Sequence, residues 1–283
     1  MSKNNKLTRE QLLDKVKGAM YGFAIGDAMG ATTEFMSKAN VEKVYGRVDN
    51  IVGGGWLNLE PGQVTDDTEM MLCVAEGYRA SIASGTKFQA EVSKRFVHWL
   101  RSEPCDVGNQ CSKSIRLLAA GKAVPMDSSA LGNGALMRAL PMALVGDWHC
   151  QMVQADLTHN NVLQRRAISR YHELVGLAIQ GKCGRVRYRP GEPIGHVMNT
   201  LRNATWAATH FQTIKDTIVW CVNEGGDADT IAAIAGGLAG AKHGWQNIPK
   251  DWINQLDSGV KSQLDENSDF LVACCLSRWN NVQ

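Results

Sequence analysis

Apolar residues recur along this chain at helical rather than strand spacing. Leu12, Leu13, Val16, Met20 and Phe23 fall three or four positions apart, behind Thr8 and Gln11, which form a capping-box pattern. The same period predicts further helices over 68–84, 88–100, 111–120, 136–145, 162–180, 194–209, 214–223 and 230–242. No long stretch alternates apolar and polar residues, and strand candidates such as 48–52 are short. Turn chemistry punctuates the helices at Gly53-Gly54-Gly55, Pro61-Gly62, Gly132-Asn133-Gly134 and Gly225-Gly226. With no fixed-period repeat and no low-complexity linker, the expectation is one compact all-α domain over 1–283, with functional loops between helices.

Within the first helix, Gly18, Gly22, Gly26 and Gly30 recur every four residues and share one face. Glycine costs roughly 1 kcal/mol per helical position relative to alanine, so the stripe predicts close approach of another backbone.

Charge narrows the function classes. Lys+Arg 30 against Asp+Glu 28 leaves +2, which does not describe a broad nucleic-acid-binding surface or a polybasic membrane patch. The eight cysteines form no C-x-x-C pair and no zinc spacing with histidine, so they read as buried, reduced thiols. Residues 1–10 are polar, without the apolar core of a signal peptide, and the uncharged run 231–241 is too short to span a bilayer. The expectation is a soluble cytoplasmic protein without membrane or nucleic-acid partners.

Candidate chemistry sits at the helix starts. Thr65-Asp66-Asp67-Thr68 follows the Pro61-Gly62 turn, and Asp227-Ala228-Asp229-Thr230 follows Gly225-Gly226. Either alone reads as an N-cap, because Asp and Thr satisfy free N–H groups there. A cap needs one oxygen, however, and each segment offers two carboxylates and hydroxyls. Together they form an oxygen-only cage suited to hard cations such as Mg²⁺ or Mn²⁺, and four aspartates could balance two of them. Gly26-Asp27-Ala28-Met29-Gly30 leads to Glu34, which could equally be a solvated helix-end carboxylate. The Gly132-Asn133-Gly134 turn, continuing into Ala135-Leu136-Met137-Arg138, could open a helix and aim N–H groups at a phosphate, but lacks the lysine of a P-loop.

Five blocks in order resemble the ADP-ribosylglycohydrolase family: 18–34 (GAMYGFAIGDAMGATTE), 63–70 (QVTDDTEM), 106–109 (DVGN), 132–141 (GNGALMRALP) and 225–244 (GGDADTIAAIAGGLAGAKHG). The resemblance implies a single orthogonal all-α domain with a binuclear Mg²⁺ or Mn²⁺ centre. It implies Thr65, Asp66, Asp67, Asp227, Asp229 and Thr230 as ligands of two divalent cations. It assigns Glu34, Asp66 and Asp106 to catalysis. Asp106, Asn109, Gly132, Asn133, Gly134 and His159 are then the substrate-binding set, although Asp106 could instead cap a helix after Pro104, and His159 could be a core histidine. The D-x-G-N block points to ADP-ribosyl-arginine, because a carboxylate accepts a paired guanidinium hydrogen bond. The implied activity is metal-dependent removal of ADP-ribose from arginine on a modified protein. ADP-ribosyl-serine or another ADP-ribose adduct is the alternative substrate. A further alternative is an immunity protein that binds an ADP-ribosyltransferase toxin. The alternating Arg185, Arg187 and Arg189 are not a hallmark of the family and read as a solvated loop or an acceptor contact.

Overall fold

Thirteen α-helices, with one short 3-10 turn (Trp245–Asn247), make up the regular structure of residues 7–281, the part of the chain that the computed structural model describes. They are α1 (Arg9–Gly30), α2 (Lys38–Tyr45), α3 (Asp66–Ser84), α4 (Phe88–Arg101), α5 (Asn109–Ala119), α6 (Leu140–Val145), α7 (Trp148–Asp156), α8 (Val162–Ile179), α9 (Val197–His210), α10 (Ile214–Glu224), α11 (Ala228–His243), α12 (Lys250–Gln255) and α13 (Ser258–Asn281). Among the described residues β pairing is limited to three isolated bridges, and the fold is all-α as expected. No described helix is long and apolar enough to cross a membrane. Of the polar segment 1–10, residues 1–6 lie outside the described range.

The capping box at Thr8 forms: Gln11 N–H donates to Thr8 Oγ1 at 3.2 Å and Thr8 N–H to Gln11 Oε1 at 2.9 Å. From Gly18 onward α1 is buried on all sides, and so is α11 until its last turn. A helix enclosed this way belongs to a core, and here the two enclosed helices pack on each other. The glycine stripe is the contact. A Cβ on Gly18 would stand 2.7 Å from the Gly240 carbonyl oxygen, and one on Gly22 would strike the Gly236 carbonyl. At the far end Gly30 meets the backbone of Ala228 and Asp229, so the packing aligns the C-terminus of α1 with the acidic start of α11.

Outer helices bury one face inward, against this pair or against a helix that packs on it. In α4 that face is Val92, Phe96 and Trp99 beside α3; in α13 it includes Leu264, Leu271, Val272 and Cys275. Cys111, Cys150, Cys183, Cys221 and Cys275 are buried as expected, whereas Cys105 is exposed.

Three expectations require correction. Segment 48–52 is not a strand; the Asn223 side chain takes its ladder role, accepting from Val48 N–H at 2.9 Å and donating to Val48 O at 2.8 Å. The helix expected over 136–145 starts at Leu140, with Pro141 in its first turn, where a missing N–H is harmless. The helix expected from 194 starts at Val197, because 193–195 runs as a strap: Pro193 O accepts Asp227 N–H at 2.8 Å and Gly195 O accepts Asn133 N–H at 3.0 Å. Helices α2, α7, α12 and α13 are not among those the sequence pattern predicts. The first presents a single buried residue, Val41, and the last opens with a polar stretch that dilutes its apolar period.

Candidate active site

The two acidic segments start α3 and α11, and α1 brings them together. Thr65 is the N-cap of α3. Asp27, fully buried in α1, accepts from Thr65 Oγ1 at 2.8 Å, Thr65 N–H at 3.2 Å and Thr68 N–H at 3.0 Å, and also from Thr68 Oγ1. The helix start is thus capped twice: Thr65 Oγ1 accepts the Asp67 N–H at 3.4 Å, and the Asp27 carboxylate from α1 takes the N–H groups of Thr65 and Thr68. Across the gap, Thr230 Oγ1 lies 3.2 Å from Asp67 Oδ2 and 3.4 Å from Asp227 Oδ1, joining both segments. Asp227 is held further by Asn133 Nδ2 at 2.7 Å and by Thr200 Oγ1 at 3.4 Å.

Above these residues opens a cavity of about 330 Å³. Its acidic lining is Glu34, Asp66, Asp106, Asp227 and Asp229, with Thr230. Asn109, Gly132, Asn133, Gly134 and His159 line it as well, and Asn133 touches the acidic group through Asp227. Thr65 and Asp67 are buried and do not line the cavity. A larger hollow of about 480 Å³ between α2 and α10 holds none of these residues.

Glu34 is buried rather than solvated, and Trp56 Nε1 donates to its Oε2 at 2.5 Å. Asp106 does not cap α5; Gly108 occupies that position, leaving the Asp106 carboxylate at the cavity wall. One carboxylate oxygen each from Glu34, Asp106 and Asp229 lies within 4.8 Å of the others. That grouping joins Asp229 to Glu34 and Asp106 rather than to the other acidic residues expected as ligands.

The electrostatics follow from crowding like charges in a dry site. Burial pushes Glu34 up to about 7, opposed by the Trp56 hydrogen bond and aided by Asp106. Burial lifts Asp27 and Asp227 to about 6, against their hydrogen bonds from threonine and asparagine. Asp66, Asp67 and Asp229 are raised well above the carboxylate range by burial and then by neighbouring carboxylates. Asp67 Oδ1 and Asp229 Oδ1 are buried with no hydrogen-bond partner. Such oxygens are costly unless a positive partner reaches them, and an oxygen-only donor set suits a hard divalent cation. The residues present therefore fit Mg²⁺ or Mn²⁺.

The Gly-Asn-Gly turn does not open a helix. Asn133 N–H is already given to Gly195 O, and Leu136 and Met137 N–H groups both return to Asn133 O. Arg138, fully buried, stabilises the turn: it donates to Gly134 O, to Gln154 Oε1 at 2.9 Å and to Thr158 Oγ1 at 2.6 Å. Thr158 Oγ1 in turn lies 2.8 Å from His159 Nδ1. Burial, then Arg138, lowers His159 to about 3, so its ring is neutral at the cavity wall. A Cβ on Gly134 would meet His159 Cε1 and Cys111 Sγ, each at 2.8 Å, which is why no larger residue fits there. Asp27, Trp56, Arg138 and Thr200 were not singled out from the sequence as site residues. Asp27 and Arg138 stand inside the glycine-rich blocks, which was the available signal; Trp56 and Thr200 had none.

A family model described as ADP-ribosylglycohydrolase matches residues 8–187 and 162–279. The chain is 36% identical to "ADP-ribosyl-[dinitrogen reductase] glycohydrolase" of Rhodospirillum rubrum, over 94% of this chain and 98% of that one. It is 31% identical to "ADP-ribosylarginine hydrolase Tri1" of Pseudomonas putida (strain GB-1), over 88% and 76% respectively. A solved structure titled "ADP-ribosylglycohydrolase-related protein complex" superposes with a TM-score of 0.79 at 26% identity, covering 94% of this chain and 99% of its own.

Proposed function

The chain belongs to the ADP-ribosylglycohydrolase family, and on that premise we propose that it hydrolyses the N-glycosidic bond between ribose C1″ and an arginine guanidinium on an ADP-ribosylated protein. The observation that carries the reading is the convergence of Glu34, Asp106 and Asp229 oxygens within 4.8 Å in a cavity that the Gly-Asn-Gly turn also lines. The relatives named for dinitrogen reductase and for ADP-ribosylarginine support the linkage.

Thr65, Asp66, Asp67, Asp227, Asp229 and Thr230 are the proposed holders of two divalent cations, Mg²⁺ or Mn²⁺. When bound, such ions supply Lewis acidity toward hydroxyl and water oxygens and offset the aspartates. The chain's own groups do the rest. Asp106, unspent on capping, accepts the guanidinium N–H groups and orients the leaving group. Glu34, held by Trp56, exchanges a proton at the reacting centre. Asn109, Gly132, Asn133, Gly134 and the neutral His159 line the space for the remainder of ADP-ribose. Water adds to C1″ as the C1″–N bond breaks; its proton goes to the departing nitrogen, leaving free arginine and ADP-ribose.

The test is incubation with arginine-ADP-ribosylated and serine-ADP-ribosylated proteins, after chelation and with Mg²⁺ or Mn²⁺ restored, read by mass spectrometry. Release from arginine only, and only with the cation, is expected. Release from serine alone, or undiminished release after verified metal removal, would overturn the proposal.

A further inference from the structure

Two aromatic rings stand exposed beside the acidic lining of the cavity, and the catalytic reading gives a task only to the Trp56 indole N–H, leaving both ring faces unused. Phe35 is 69% exposed and Trp56 53% exposed, their centroids 5.4 Å apart with planes inclined at 53°. Phe35 lines the cavity directly after Glu34, and Trp56 reaches Glu34 through its indole N–H.

Their backbones are anchored more firmly than exposed residues require. Phe35 adopts φ +60°, a left-handed conformation that a bulky side chain rarely takes and that carries strain. The conformation is imposed by a paired contact with the Gly225-Gly226 turn: Phe35 N–H donates to Gly226 O at 2.7 Å and Gly226 N–H to Met36 O at 2.8 Å. Trp56 rides on a tight loop closed by mutual Gly54–Leu59 hydrogen bonds at 2.7 and 2.9 Å. Thr32 Oγ1 ties that loop to the end of α1 through Gly53 O at 3.0 Å. Both backbones are thus held at the rim, and the Trp56 ring by its bond to Glu34, before any ligand arrives, which limits the entropy lost on binding.

What they could hold follows from charge. The carboxylates of Glu34 and Asp106 bring oxygens within 4.8 Å of each other next to Phe35, and the phosphate-bearing part of ADP-ribose would be repelled there. A planar cation is favoured by both features, since carboxylates accept its N–H groups while the ring faces attract its charge. We infer that Phe35 and Trp56 form a specificity rim for the acceptor side of the substrate, stacking on the guanidinium and alkyl stem of the modified arginine. The inference rests on the arginine-linked reading proposed above. It assigns the rings to the acceptor side chain and not to adenine.

Phe35→Asn tests it. Asparagine tolerates the left-handed backbone, so the variant removes the ring and keeps the turn. Phe35→Tyr, which restores a π-face, serves as the rescue. Steady-state kinetics on an arginine-ADP-ribosylated peptide would be compared with calorimetric binding of free ADP-ribose. Phe35→Asn is expected to raise KM about fivefold with kcat within about twofold, as loss of a cation–π contact predicts. Phe35→Tyr should stay near wild type, and the ADP-ribose Kd should hold within about twofold in both. A wild-type enzyme inert on the arginine-linked peptide removes the functional reading and this inference with it. With an active wild type, an unchanged KM in Phe35→Asn, or an ADP-ribose Kd that weakens in step with KM, overturns the inference alone.

Discussion

Both oxygens of the Asp27 carboxylate are occupied by α3, and Oδ2 takes the Thr68 N–H at 3.0 Å together with the Thr68 hydroxyl. One buried side chain of α1 thereby fixes the start of α3, while Gly30, a turn further on, fixes the start of α11 through backbone contact. The distance between the two acidic segments is set by α1.

Asp27→Asn is therefore expected to damage the site without touching the cavity. An amide would direct N–H groups at Thr65 and Thr68 donors. Losing a hydrogen bond to a charged group costs about 1.5–3 kcal/mol. We expect a lowered melting temperature and loss of activity at low Mg²⁺, with partial recovery at high Mg²⁺. Thermal denaturation and a cation titration check this; wild-type values in both would mean that Asp27 does not set the spacing.

Gly22→Ala probes the other half of the same scaffold. The new Cβ would collide with the Gly236 carbonyl, which belongs to a rigid helix and not to a flexible side chain. Overpacking of this kind costs roughly 1–3 kcal/mol, and each kcal/mol lowers the melting temperature of a chain this size by about 2–4 °C. A scanning calorimetry trace within 1 °C or so of wild type would show that the helices can separate at little cost.

The scaffold was legible in the sequence because its determinants are local: the Thr8 capping box, the four-residue glycine period and the acidic pairs at helix starts. What was not legible depends on contacts distant along the chain. Asp27 is separated from Thr65 and Thr68 by 38 and 41 residues, and nothing in its own segment reveals which donors it meets. The Gly-Asn-Gly turn misled for the same reason, since its N–H at Asn133 is claimed by Gly195 in a strap that carries no periodic pattern. Glu34 could have been a solvated helix end; burial under Trp56, 22 residues away, decides otherwise.

The crowded carboxylates give a pH dependence whose sign is set by their raised values. In the cation-free protein Asp27 and Asp227 are lifted from 3.8 to about 6 and Glu34 from 4.5 to about 7. Between the unfolded and folded values the native state binds more protons. Their contribution is therefore full below about pH 4 and is lost as pH rises through about 6–7. Chelated protein should melt at a lower temperature at pH 8 than at pH 5.5. Divalent cations need the deprotonated oxygens, so the rise in melting temperature on adding Mg²⁺ should be larger at pH 8. An equal or larger rise at pH 5.5 would contradict a cation held by this cluster.

Asp106 separates two roles that the geometry allows. Its carboxylate is unspent on capping and stands among Glu34 and Asp229, so it could grip the leaving guanidinium or share a cation. For the first role, Asp106→Ala removes a charged hydrogen-bonded contact worth about 1.5–3 kcal/mol, and about 1.4 kcal/mol is tenfold in rate. We expect kcat/KM on an arginine-linked substrate to fall at least about tenfold, and further if the contact tightens in the transition state. Free ADP-ribose, which lacks the guanidinium, should bind within about threefold of wild type. Cation affinity should then change little, because Asp106 in this role makes no bond to the ion and only its charge at a distance is lost. Mg²⁺ affinity measured by calorimetry decides the matter. If it drops steeply together with ADP-ribose affinity, Asp106 is a cation ligand, and the arginine preference must come from elsewhere in the acidic lining of the cavity.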